Sequence, residues 1–116
     1  MTATRVDIER RGDAIVVRLA GALVAADAEA VTERVAEHAF AADSRVAIDL
    51  SKLDTLDSSG LSALIHLVTR ARLSQGRVVL VSPSQFVSGI FAVTRLNQYF
   101  EIFDNLDSAV DSLVSS

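Results

Sequence analysis

Polar and apolar residues alternate through Arg5-Val6-Asp7-Ile8-Glu9, the period of a half-buried strand. The turn signal Gly12-Asp13 follows. Ala14 to Ala20 then repeats the pattern, with Ile15, Val17 and Leu19 on one face and Val16 and Arg18 on the other. Two such runs across a short Gly-containing turn predict an antiparallel hairpin, with Gly21 as its end. The period then lengthens. Asp27 is placed to cap a helix running to about Phe40, with Ala28, Val31, Val35 and Ala39 at helical spacing and Glu29, Glu33 and Glu37 along another side. Arg45 to Leu50 returns to a strand, with Val46, Ile48 and Leu50 on one face. A second helix is expected from near Ser58 to about Gln75, its buried stripe Leu61, Leu64, Ile65, Val68 and Ala71, with Gly76 as the stop.

Val78-Val79-Leu80-Val81 is apolar without a break, which predicts a central strand covered on both sides. Ser82 or Ser84 caps a third helix with Pro83 in its first turn and Phe86, Ile90 and Val93 as one face. Tyr99 to Phe103 reads as a short fifth strand. Asn105 or Asp107 starts a last helix with Ala109, Val110 and Leu113 inside. The order is β-β-α-β-α-β-α-β-α. Strands alternating with helices after a hairpin imply a single α/β domain over residues 1–116, a mixed, mostly parallel sheet with four helices. No linker, repeat or low-complexity tract interrupts it.

Composition narrows the chemistry. A chain of 116 residues, half of them hydrophobic, supports one core. The absence of Cys excludes disulfides, thiolate metal sites and a Cys nucleophile. A net charge of -4 gives no general attraction to phosphate backbones, so no direct nucleic-acid partner is expected. The longest uncharged run, Val78 to Thr94, is broken by Ser82, Pro83, Ser84, Gln85, Ser88 and Gly89 and does not read as a membrane span. The first residues lack the apolar core of a signal peptide, so a cytoplasmic location and no membrane partner are expected.

Open α/β sheets present their sites where a strand ends and a helix begins. The junction running from Asp49 to Leu61 is the unusual one, because Asp54, Asp57, Ser58, Ser59 and Gly60 crowd the start of an apolar helix. A helix N-terminus offers unpaired N–H groups and a partial positive charge, which favour an anion there. A Ser at that point carries an exposed hydroxyl on a short stem, and phosphorylation would add roughly -1.5 to -2 charge beside Asp54 and Asp57. Ser and Asp are also the commonest N-caps, so Asp-Ser-Ser-Gly equally describes a cap and a turn.

Asp49-Leu50, then a seven-residue connection from Ser51 to Asp57 that ends in the Asp of Asp57-Ser58-Ser59-Gly60-Leu61 opening an apolar helix, resembles the STAS domain of bacterial anti-sigma factor antagonists. The likeness extends over nearly the whole chain. It takes in the hairpin, Gly21 before the first helix, Ser82-Pro83 after the fourth strand, and Phe100 and Ile102-Phe103 near the end. The resemblance implies a phosphorylation switch with Ser58 as acceptor. An anti-sigma factor with serine kinase activity binds the unphosphorylated antagonist, phosphorylates it with ATP and lets it go, and a PP2C-type phosphatase restores it. The antagonist receives chemistry and is not an enzyme. In this picture Asp57 fixes the loop, Ser59 supports the cap, Gly60 lets a partner approach and Leu61 anchors the helix.

Two positions depart from the family pattern. Val24 stands in Gly21-Ala22-Leu23-Val24 where many antagonists have Asp near the phosphosite, and Arg95 stands in Thr94-Arg95-Leu96 where Gly is usual. Without that Gly, Asn97 is expected to take the turn. The first departure keeps a second reading open: a non-catalytic STAS scaffold subunit of a stress-signalling complex or a lipid-transport ATPase.

Other constellations fall short. His66 lies eight residues after Ser58 on the same expected helix, about 12 Å along its axis, so it cannot deprotonate Ser58. No Gly-x-Ser-x-Gly elbow, Ser-x-x-Lys pair or phosphate-binding Gly-rich loop occurs. Neither His38 nor His66 has a second His nearby, and Asp54 and Asp57 read as a solvated acidic turn, so no metal and no cofactor are expected. Ser62, His66 and Arg70, with Arg72 and Leu73 beside them, form the outer face of the second helix, read either as ordinary surface or as a partner-binding face continuous with Ser58. Phe86, Phe91, Phe100 and Phe103 are expected in the core.

Overall fold

A computed structural model describes residues 4–39 and 41–115. The elements are β1 (Thr4–Arg11), β2 (Ala14–Leu23), α1 (Ala25–Ala39), β3 (Arg45–Leu56), α2 (Ser58–Leu73), β4 (Arg77–Val81), α3 (Gln85–Thr94), a 3-10 turn (Leu96–Gln98), β5 (Ile102–Phe103) and α4 (Leu106–Ser115). The expected end of the first helix at Phe40 lies outside the described residues.

The alternation at the start closes the antiparallel hairpin, with Thr4 opposite Gly21 and Arg11 opposite Ala14. The remaining strands pair in parallel, and the sheet order is β1-β2-β3-β4-β5. β4 is the covered strand that its apolar run predicts. Val78 and Leu80 join the larger core, under α1, α2 and α3, while Val79 and Val81 join a smaller one with Ala14, Ala47, Ala109 and Leu113 of α4.

Two strands run further than the pattern indicates. Gly21 does not end β2. It adopts φ 89, a backbone open to glycine, and the strand continues to Leu23 through register shifts against β3. β3 likewise continues past Leu50, with Ala20 opposite Lys52 and Leu23 opposite Leu56. Its tail, Ser51 to Leu56, buries Leu53 and Leu56 at a spacing of three, because the shifts break the period of two. The expected seven-residue connection therefore shrinks to a single residue, Asp57.

Helix ends and faces also differ in detail. α2 buries Leu64, Val68 and Ala71 as expected, but also Ala63 and Leu67, while Leu61 and Ile65 are half-buried. The helix packs on α1 as well as on the sheet, which turns its buried arc. Gln75, at φ 62, takes the left-handed turn after α2, and the Gly76 N–H bonds the Ala71 carbonyl at 2.8 Å. Ser84 is the cap of α3, so Pro83 precedes the helix and is not in its first turn. That phase sends Val87 and Phe91 inward. Phe86 is 52% exposed and Val93 86% exposed, so of the expected face only Ile90 touches the core, at its edge, while Phe86 and Val93 point away from it. Arg95 itself adopts the left-handed conformation, at φ 62, and Asn97 lies within the 3-10 turn. That turn holds Tyr99 and Phe100 by N–H bonds to the Leu96 carbonyl, so β5 begins only at Ile102. Asn105 begins the last helix, its Oδ1 accepting the Ser108 N–H at 2.9 Å.

Candidate functional site

The site forms because β3 passes directly into α2. Asp57 has extended backbone, and its Oδ1 accepts the Gly60 N–H at 2.9 Å, the N-cap bond that satisfies an otherwise orphaned helix amide. Its second oxygen, Oδ2, accepts the Ala25 N–H at 3.0 Å, the first amide of α1. The Asp57 N–H in turn reaches the Leu23 carbonyl at 3.4 Å. One carboxylate thus closes the N-termini of two helices.

This arrangement corrects the expected cap of the first helix. Asp27 is the third residue of α1, only 4% exposed, and its N–H bonds the Val24 carbonyl at 2.9 Å. The helix starts at Ala25, three residues before the Ala28 start that a cap at Asp27 implies, with its first amide capped by Asp57 rather than by a neighbour in sequence. The amide bonds from Gly60 first, and then Ala25, hold the Asp57 carboxyl below its ordinary value, against the opposing effect of partial burial. Asp57 is therefore a fixed anion at neutral pH.

Ser58 is the first residue of α2 and is exposed, Ser59 is half-buried and Gly60 is buried. The role expected for Gly60 changes. A Cβ there would lie 2.1 Å from the Leu23 carbonyl oxygen and 2.8 Å from Leu56 Cδ1, so Gly60 admits the fold's own β2 end rather than a partner. Asp54 is exposed and accepts a bond from the Thr55 hydroxyl at 3.1 Å. Val24, flanked by Leu23 and Ala25, both bonded to Asp57, stands beside the start of α2 as the family pattern implies.

Ser62, His66 and Arg70 are exposed on α2 and follow Ser58 at intervals of four residues, one row about 18 Å long. Arg72 leaves that row. Its guanidinium lies over the Tyr99 ring, 4.4 Å from the centroid, and bonds the Tyr99 carbonyl at 2.7 Å. The exposed apolar face of α3 is a surface feature that the sequence pattern did not separate from the core. Ser84 ties that helix to the tail of β3 by donating to the Leu53 carbonyl at 2.7 Å. Among the described residues no three acidic or His side chains gather as metal ligands, and no helix is long and apolar enough to cross a membrane.

The family model for the STAS domain matches residues 5–109, and the chain belongs to the STAS domain family. BtrV of Bordetella bronchiseptica, named provisionally as an anti-sigma factor antagonist, is 26% identical over 91 residues, covering 78% of each chain. A Thermotoga maritima protein with a name of the same kind is 25% identical over 69 residues, and the match spans 60% of this chain and 61% of that relative. In fold, the chain is similar to the anti-sigma factor antagonist SpoIIAA. Against its unphosphorylated form the TM-score is 0.80 at 20% identity, covering 97% of this chain and 98% of that one. Against its phosphorylated form, from Bacillus, the TM-score is 0.73 at 20% identity, covering 94% and 99%.

Proposed function

We propose that this chain, as one functional unit over residues 1–116, is a cytoplasmic anti-sigma factor antagonist switched by phosphorylation of Ser58. The observation that carries the reading is the exposed Ser58 hydroxyl on the first residue of α2, beside the doubly bonded Asp57 carboxylate. Asp57 sets the helix start and so the direction of the neighbouring hydroxyl. Family membership, and relatives bearing the antagonist name, support the same reading.

In the unphosphorylated state the protein binds an anti-sigma factor with serine kinase activity and so frees the sigma factor. The Ser58 row with Ser62, His66 and Arg70 is the proposed contact face. The kinase transfers the γ-phosphoryl group of ATP. A bond forms from Ser58 Oγ to phosphorus, the bond to ADP breaks, and the hydroxyl proton passes to a base on the kinase. The new group brings roughly -1.5 to -2 charge next to Asp57 and Asp54, which a face shaped for a neutral hydroxyl does not accommodate. A PP2C-type phosphatase reverses the step by hydrolysis. The chain itself catalyses nothing and contacts no nucleic acid directly.

Val24 supports a second reading, because it removes an acidic residue from the neighbourhood of Ser58. A STAS scaffold subunit of a stress-signalling assembly or a lipid-transport ATPase would not need the phosphorylation step. Ser58→Asp and Ser58→Ala separate the two in a binding titration against the anti-sigma factor. The switch requires Ser58→Ala to bind and to stay bound with ATP present, and Ser58→Asp to lose binding. Equal binding by Ser58→Asp and wild type would sink it.

A further inference from the structure

We infer that Asp57 transmits the phosphorylation state of Ser58 to the start of α1, so that the surface altered by the switch includes Val24–Asp27 as well as the start of α2. This rests on Ser58 being the acceptor. The structural basis is the division of labour between the two carboxylate oxygens: Oδ1 holds Gly60 N–H at 2.9 Å and Oδ2 holds Ala25 N–H at 3.0 Å, across 32 residues of chain.

A phosphate on Ser58 acts on both bonds at once. It brings three acceptor oxygens to the amides at the start of α2, where Asp57 Oδ1 now sits. It also repels the Asp57 carboxylate, its neighbour in sequence. The two oxygens share one rigid group, so a carboxylate that turns away from Gly60 also leaves Ala25. The consequence for α1 is local. Asp27 and Ala28 still donate to the Val24 carbonyl, at 2.9 and 3.0 Å, so the helix persists while its first turn loosens. Val24, which departs from the family pattern, begins the segment that moves.

Amide hydrogen exchange tests this, with phosphoserine installed at position 58 during translation so that no kinase is needed. The expected result is faster exchange of the Asp27 and Ala28 amides by about tenfold in the phosphorylated protein. Ala25→Pro removes the N–H that Asp57 Oδ2 accepts, and Pro is tolerated at the first position of a helix. In that variant phosphorylation should change exchange at Asp27 and Ala28 by less than about twofold. Asp57→Asn, with one acceptor oxygen, can close only one helix and should show the same loss of response. Unchanged exchange at Asp27 and Ala28 on phosphorylating the wild type would overturn the inference, as would a full response in Ala25→Pro. If exchange is unchanged while anti-sigma factor binding is lost, the switch stands without this coupling. If exchange rises while binding is retained, the coupling stands and the switch fails.

Discussion

Replacing Gly60 by Ala tests the packing that builds the site. In most helices this change is favourable, because Ala exceeds Gly in helix preference by about 1 kcal/mol. Here the new Cβ would sit 2.1 Å from the Leu23 carbonyl oxygen and 3.0 Å from its carbon. Even a close C–H···O contact keeps about 3.3 Å, so α2 and the end of β2 must part by roughly 1 Å. The obstacle is backbone on a paired strand and cannot swing aside as a side chain would. Overpacking of this kind costs about 1–3 kcal/mol, and more when backbone has to shift. With the penalty at the upper end, about 3 kcal/mol, and the gain about 1, a net loss of roughly 2 kcal/mol is expected, a fall of about 8 °C in Tm for a domain of this size. Urea unfolding followed by circular dichroism measures it. A Gly60→Ala protein as stable as wild type, or more stable, would show that the close approach of α2 to Leu23 does not constrain the fold.

Gly89→Ala makes the same chemical change on α3, where a Cβ meets nothing within 4 Å. It should stabilise the protein by up to about 1 kcal/mol in the same urea assay, opposite in sign to Gly60→Ala. Leu64 is 0% exposed in the larger core, and Leu64→Ala should cost about 2–5 kcal/mol by the same measurement, with a cost under 1 arguing against its burial. Asp57 holds fewer protons folded than unfolded, so its contribution to stability is complete above the ordinary value of 3.8 and is lost as pH falls through the lower folded value. The stability gap between wild type and Asp57→Asn should therefore be wider at neutral pH than below pH 3.8. A gap that holds or widens in acid would contradict the double bond to Gly60 and Ala25.

Local signals in the chain carried most of the fold. The hairpin, the covered β4 and the start of α2 each follow from residues within a few positions of one another. The helix start that carries the candidate Ser58 is local in the same way, announced by Asp57. What escaped the sequence was non-local. Asp27 has the chemistry of a cap, but Asp57 caps α1 from 32 residues away. The tail of β3 lost its strand period because register shifts against β2 alter which side chains turn inward. In α3 both Phe86, Ile90 and Val93 and the Val87 and Phe91 pair are apolar, so periodicity could not choose the buried face; the position of the Ser84 cap decided it. Gly60 looked like room for a partner because its true neighbour, Leu23, belongs to another strand.

The central claim is that Ser58 carries the switch. It is tested most directly by incubating the purified chain with its anti-sigma factor and ATP and mapping phosphate by peptide mass spectrometry while complex formation is followed in the same sample. The account predicts one phosphate, on Ser58, accumulating in step with loss of the complex, and neither change in Ser58→Ala. A complex that persists with Ser58 fully phosphorylated, or dissolves while Ser58 stays unmodified, would contradict it.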